Sequence, residues 1–376
     1  MNKNIKKLLF IHPYFGKGGA EKGIKILVKG LNPNDYLVDI FCIKVNEKVF
    51  LKNYNNIAFY ISPSKSIISS FLFFIRLLFK KNYDAIIPTQ SPSISFFTPF
   101  IYIFNILRFR KKRIKIISFE RLSPQVFYYS GKLIFLRKFL YSMSIRLSDC
   151  LLTNSYEQLL NYKKNYPDKL SFYIPNSSSI EHLNKSKKKV YKKDYKKDYK
   201  KDYFYKILWA GRLEEIKDPK LAIRTISKLD NKYKLYIFGN GKLNENLKKE
   251  INKFSLNEKI YLNNDFDKLN MNDYDLILNT SFYEGLPNIL IEGLSNNIPI
   301  VSTFFTTGLI ELFIPYWIYP SSRSGSELAK LIKKALSVND NLIRNKAPIN
   351  YLIKKHYNSE KMVSKFQNIL NKELGI

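Results

Sequence analysis

Short apolar runs, each followed by a longer stretch of helical periodicity, recur from one end of this 376-residue chain to the other. That alternation is the signature of stacked βαβ units around a parallel sheet. In the first half, strands are expected at 7–11, 37–43, 83–87, 114–119, 150–153 and 170–174. The stretch 20–31 sets Ile24, Leu27, Val28 and Leu31 at helical spacing, an apolar stripe that faces a sheet. In the second half, strands at 205–210, 234–238, 275–279 and 298–301 alternate with helices at 219–229, 243–254 and 287–294, and helical stretches at 327–338 and 359–374 close the chain. The length suits two domains with a core each. Their expected bounds are 1–180 and 205–358, joined by a linker or insertion at 181–204, with a last helix at 359–376 packing back on the first domain. The fold class is α/β, with two Rossmann-like, doubly wound sheets facing a central cleft lined by the carboxyl ends of their strands.

A formal charge of +32 accompanies an ordinary globular balance of 45% hydrophobic and 25% charged residues. The excess is uneven: residues 1–150 hold 25 Lys and Arg against 7 Asp and Glu, while 185–206 hold 11 against 3. Such a surface attracts nucleic acid, anionic lipid or a phosphorylated substrate, and a Lys-rich background composition is the plain alternative. Tyr-Lys-Lys-Asp repeats beginning at Tyr191, Tyr195 and Tyr199 suit a solvated, extended linker, or a Tyr-striped helix on a membrane. The apolar runs 67–79 and 94–107 fall short of the roughly 20 residues of a membrane span. They fit core helices, and 96–113 also suits a helix resting on a bilayer. Cys42 and Cys150 form no metal or disulfide pattern, and the apolar run 8–11 is too short for a signal peptide, so a cytoplasmic home is expected. His12, His182 and His356 assemble no hydrolytic triad or metal cluster, and His12 beside Pro13 suits either the cleft or a structural place.

Three stretches carry chemistry. The first, Gly-Lys-Gly-Gly-Ala-Glu at 16–21, stands between strand and helix, where backbone amides and the helix dipole suit a phosphate, or where an ordinary tight turn would stand. It is not Gly-x-Gly-x-x-Gly, which disfavours a dinucleotide. The second runs from Trp209 to Pro219, with Asp218 as an amino-cap and Pro219 as first helical residue. Its Arg212 and Lys217 suit a diphosphate and the charge that grows on it as its bond to a sugar breaks, or are two solvated cations on a surface loop. The third runs from Ser281 to Leu294, with Pro287 expected to open a helix. Glu284 lies in the loop; Glu292 stands among Ile289, Leu290, Ile291 and Leu294, where an unpaired carboxylate is costly. Sugar and ribose hydroxyls would satisfy the pair, as would a capping contact and an ordinary ion pair.

These stretches, in this order, resemble the family 4 glycosyltransferases, retaining enzymes of the GT-B fold. The likeness also takes in Thr153-Asn154-Ser155, Ile174-Pro175-Asn176, Gly239-Asn240-Gly241 and the run from Ile298 to Thr303. The resemblance implies that Arg212 and Lys217 bind the donor diphosphate, Glu292 the ribose and Glu284 the donor sugar. Gly18 and Gly19 would approach the phosphates, Gly239 and Gly241 would lie near the base, and Gly285, Leu286, Asn288 and Ile289 would complete the donor site. Many members carry a histidine in the first domain; here that stretch reads Ser118-Phe119-Glu120-Arg121, so Glu120, Arg121 and His12 stand as acceptor-side candidates.

The expected function is transfer of a sugar, with a UDP-sugar favoured, to a glycan or lipid-linked acceptor in cell-surface polysaccharide synthesis. No metal or other cofactor is expected, and no nucleic-acid partner. The expected place is peripheral, at the inner face of the cell membrane. The alternatives are a basic membrane- or nucleic-acid-binding protein with a vestigial cleft, and a nucleotide-sugar epimerase of the same architecture.

Overall fold

The computed structural model describes residues 5–16, 18–45, 56–63, 70–107, 112–129, 132–177, 203–304, 308–338 and 347–375. The Tyr-Lys-Lys-Asp repeats and His182 lie outside the described residues. In chain order the elements are β1 (Lys6–Phe15), α1 (Gly19–Gly30), β2 (Tyr36–Val45), β3 (Ile57–Ile61), α2 (Ser70–Lys80), β4 (Ala85–Pro88), α3 (Gln90–Leu107), β5 (Lys115–Glu120), α4 (Pro124–Tyr129), α5 (Ile134–Leu147), β6 (Cys150–Thr153), α6 (Tyr156–Asn165) and β7 (Leu170–Tyr173). After the undescribed stretch come β8 (Tyr205–Ala210), α7 (Pro219–Ile226), β9 (Tyr233–Phe238), α8 (Asn244–Lys253), β10 (Ile260–Asn263), β11 (Leu276–Asn279), α9 (Asn288–Ser295), β12 (Ile300–Thr303), α10 (Gly308–Glu311), β13 (Ile318–Ser321), α11 (Gly325–Ser337), α12 (Ala347–His356) and α13 (Ser359–Leu374). The chain divides into two units: Met1–Asn176 with Ser359–Ile376, and Ser177–Asn358.

All strand pairs are parallel. The first unit has the order β3-β2-β1-β4-β5-β6-β7 and the second β10-β9-β8-β11-β12-β13. Both sheets therefore reverse direction once, between β1 and β4 and between β8 and β11. At such a switch point the loops on either side diverge and leave a crevice at the strands' carboxyl ends.

Strand alternation divides each core. In β1, Leu8 and Phe10 face one way, onto Ile24, Leu27 and Val28 of α1 and onto α13. Leu9 and Ile11 face the other, onto Phe74 and Leu77 of α2 and Phe97 and Ile101 of α3. Side chains at successive strand positions point to opposite faces, so a run apolar on both is buried on both. α13 lies in the first unit's core, where Met362, Phe366, Ile369 and Leu370 are buried. The Phe366 ring lies 6.0 Å from Phe10 and 6.2 Å from Phe119. Helix α1 approaches α13 so closely that a Cβ on Gly30 would overlap Val363.

The strands β3, β10 and β13, not expected from the sequence, sit at sheet edges and are four or five residues long. The runs 67–79 and 94–107 fall largely in α2 and α3, and no helix among the described residues is long and apolar enough to cross a membrane. Pro287 does not open α9 as expected. It stands one position before it, with an extended ψ of 126°.

Phe366→Ala leaves a ring-sized void between Phe10 and Phe119. It should cost the first unit about 3–5 kcal/mol, read as a lowered urea midpoint.

Candidate functional site

The reversal between β8 and β11 brings two loops together, 211–218 after β8 and 280–287 after β11. Their backbones are joined directly. Phe282 N–H donates to the Ile216 carbonyl at 2.9 Å. Thr280 lies at the centre: its hydroxyl accepts from Trp209 Nε1 at 2.9 Å and faces the carbonyls of Lys217 at 3.0 Å and Asp218 at 2.7 Å. Asp218 caps α7 as expected, its carboxylate accepting from Leu221 N–H at 3.1 Å, but in a left-handed conformation with φ 44°.

Arg323, in the turn between β13 and α11, fastens both loops. One guanidinium nitrogen donates to the carbonyls of Thr280 and Ser281, each at 3.0 Å, and the other pairs with the Asp218 carboxylate. The group also lies over the Phe282 ring. The sequence reading did not single out Arg323, because β13 before it went unread and nothing local sets it apart from a surface arginine.

The result is a direct ion pair between Lys217 and Glu284, both side chains mostly buried. The Ser281 hydroxyl lies 2.8 Å from the same Glu284 oxygen and 2.9 Å from Asn279 Oδ1. Arg212 stands half exposed, donating to Glu214 at 3.1 Å. Gly285 and Leu286 are buried, Leu286 in the core beside α9. Asn288 and Ile289 form the first turn of α9, whose amides no earlier helical carbonyl can accept. Glu292 follows at helical spacing from both. It is only half buried, against the expectation of an apolar surrounding, because Leu290, Ile291, Gly293 and Leu294 take the core-facing side. Gly239 and Gly241 serve packing of the loops: a Cβ on Gly239 would overlap the Gly211 carbonyl, and one on Gly241 the Leu213 backbone.

In the first unit, Gly18 caps α1 and Gly19 begins it. The space beside Gly18 belongs to the Glu21 carboxylate, which a Cβ on Gly18 would strike. His12 is buried, with Nδ1 2.6 Å from Thr89 Oγ1 and Nε2 3.5 Å from Glu21. Glu120 and Arg121 are also buried. The Glu120 carboxyl takes Ser91 Oγ–H at 2.5 Å and the amides of Arg121 and Leu122 at 3.1 Å each. Burial pushes its pKa up to about 7 against those hydrogen bonds. Arg121 donates to Asn176 Oδ1 at 2.6 Å, and Asn154 Nδ2 reaches the Arg121 carbonyl and the same Asn176 oxygen. Three separated motifs thus meet in one buried cluster.

Residues 191–371 match the family described as Glycosyl transferases group 1. It is 27% identical, over 81% of its length and 82% of the other's, to the N-acetylgalactosamine-N,N'-diacetylbacillosaminyl-diphospho-undecaprenol 4-alpha-N-acetylgalactosaminyltransferase of Campylobacter jejuni. It is 38% identical to an uncharacterized glycosyltransferase of Methanocaldococcus jannaschii over 28% of this chain, a match that spans 27% of that protein. Among solved structures it is similar to sucrose-phosphate synthase from Thermosynechococcus elongatus, with TM-score 0.78 at 13% identity over 98% of this chain and 99% of the other. It is also similar to Anabaena HepE in complex with UDP and glucose, with TM-score 0.73 at 14% identity over 97% and 99%. The chain has the GT-B fold, and the loops that meet at the switch point of the second sheet, within the matched stretch, are those that hold Arg212, Lys217 and Glu284.

Glu120 is neutral more readily in the folded chain than in the unfolded one, so its folded pKa is the higher. Its contribution to stability is full below the unfolded value and declines as pH rises toward about 7. Urea unfolding should therefore show a loss of stability between about pH 5 and 8 that Glu120→Gln removes.

Proposed function

We propose that this chain moves a sugar from a nucleoside-diphosphate donor, a UDP-sugar, to a lipid-linked or glycan acceptor, with retention at the anomeric carbon and without a metal. The observation that carries the proposal is the Lys217–Glu284 contact at the switch point of the second sheet. A lysine and a carboxylate held together there give one group for phosphate and one for sugar hydroxyls, side by side. HepE in complex with UDP and glucose supports the class of donor. The diphospho-undecaprenol in the name of the Campylobacter relative supports a lipid-linked acceptor, and with it a place at the inner membrane face in cell-surface glycoconjugate synthesis.

In this reading the donor diphosphate lies between Arg212, Lys217 and the amino terminus of α9, where amides and helix dipole favour an anion. Arg323 acts on it only through the two loops that it fastens. Glu284 takes hydroxyls of the transferred sugar and Glu292 those of the ribose, while Gly239 and Gly241 flank the base. The bond from the anomeric carbon to the phosphate oxygen breaks, and its electron pair goes to the leaving diphosphate, where Arg212 and Lys217 offset the growing charge. The acceptor hydroxyl attaches on the same face, and its proton passes to the departing phosphate.

A thermal-shift screen against UDP-, GDP- and ADP-sugars should show the UDP donor raising the melting temperature, since a ligand held by the folded state stabilises it. Lys217→Ala and Glu284→Gln should then lower kcat/KM by about 10²–10³-fold, with anomeric configuration retained in the wild-type product by NMR. Full activity of both variants would overturn the site, and an inverted product would overturn retention.

A further inference from the structure

The two outer layers of the first unit differ in kind. Among the described residues, none of the large exposed apolar side chains falls on α1 or α13. On the other side of the sheet, Leu72 and Phe79 of α2, Ile106 and Leu107 of α3, and Phe135 and Phe139 of α5 are 61–88% exposed. These helices form one continuous layer. Phe71 of α2 packs on Phe100 of α3 at 4.1 Å and Phe79 on Phe104 at 5.2 Å, and α3 packs against α5, where Ser144 Oγ donates to the Ser95 carbonyl at 3.3 Å. A soluble surface scatters such residues singly, and a concentration of them on one layer marks an interaction site.

Charge selects the partner. Helices α2, α3, α4 and α5 contain no Asp or Glu. Arg76 and Lys80 on α2, Lys132 before α5, and Lys138 and Arg146 on α5 are exposed among the apolar side chains. Lys and Arg stems lie along apolar surface while their heads reach toward anions. A second copy of this chain, docked by the same face, would set these cations against one another with no carboxylate to answer them. An apolar face whose helices α2 to α5 carry cations and no carboxylate fits the boundary of an anionic bilayer, where aromatic and aliphatic side chains enter below the headgroups and Lys and Arg meet the phosphates.

We propose that the outer face of α2, α3 and α5 seats this protein on an anionic membrane, with Phe135 and Phe139 of α5 entering below the headgroups. The sequence reading gave a bilayer role to residues 96–113. The structure buries Phe97 and Ile101 of that stretch in the core, leaves its Ile106 and Leu107 exposed, and adds α5 to the same face, Phe135 being the most exposed of the large apolar side chains among the described residues. The inference deepens the reading of a lipid-linked acceptor and rests on that reading only for its purpose, because the surface stands without it.

The test uses the full chain in sedimentation with vesicles of phosphatidylcholine, with and without about 30% phosphatidylglycerol. Wild-type protein should bind the anionic vesicles and leave the neutral ones, and added salt should weaken binding by screening. Phe135→Ser/Phe139→Ser, which changes no charge, should weaken binding at least ~10-fold, and so should Ile106→Ser/Leu107→Ser on α3. Both variants should keep the wild-type thermal shift with UDP, so that a failed donor reading and a failed membrane reading are told apart. Anionic vesicle binding unchanged in both variants, or a wild-type dimer that either variant turns into a monomer, would overturn the proposal.

Discussion

Parallel strands all end on one edge, and only where their order reverses do neighbouring loops part and leave room for a ligand. The second sheet reverses between β8 and β11, and the loops there would be mobile if they were held only at their strand ends. They are instead fastened through one hydroxyl and one guanidinium. Thr280 joins the Trp209 indole to the carbonyls of Lys217 and Asp218, and Arg323 joins Asp218 to the carbonyls of Thr280 and Ser281. Lys217 ends a single 3-10 turn, Glu215–Lys217, and Glu284 lies in a loop, so the placement of the pair rests on those links and on the Phe282–Ile216 backbone bond.

The first unit uses buried polar groups differently. Glu120 is spent inward on the amides of its own loop, and Arg121 on Asn176. A buried carboxyl that accepts two amides holds a turn without any sheet bonds, and burial raises its pKa because the charged form loses more solvation than those bonds return. The buried Asn154 and Asn176 complete the cluster at the carboxyl ends of β5 and β6. The same unit leaves one outer layer apolar and cationic and the other polar, an asymmetry that packing of the core does not require.

Much of the fold was legible because its cause is local. Period and capping placed β6 and β8 at their observed limits and put the cap of α7 at Asp218, and the apolar stripe of α1 appears where helical spacing put it. Edge strands β10 and β13 escaped because each is a run of four, one ending in Asn263 and the other broken by Pro320, whereas β3 is an apolar run of five that spacing could have shown. Part of the site was legible too. Gly211, Gly239 and Gly241 stood out, and the structure shows close loop contacts that a Cβ at Gly239 or Gly241 would obstruct.

The sequence by itself determined the alternation of strand and helix, the two sheets that follow from it, the capped start of α7, and the loops that bear Arg212, Lys217 and Glu284. These are properties of neighbouring residues, set by backbone sterics and by the periods of helix and strand. Only the tertiary structure decided that Lys217 meets Glu284 across 67 positions, that Arg323 fastens their loops from 105 positions beyond Asp218, and that Glu120 and Arg121 turn inward. Strand order creates those contacts, and strand order follows from how whole helices pack on a sheet, which no local spacing records.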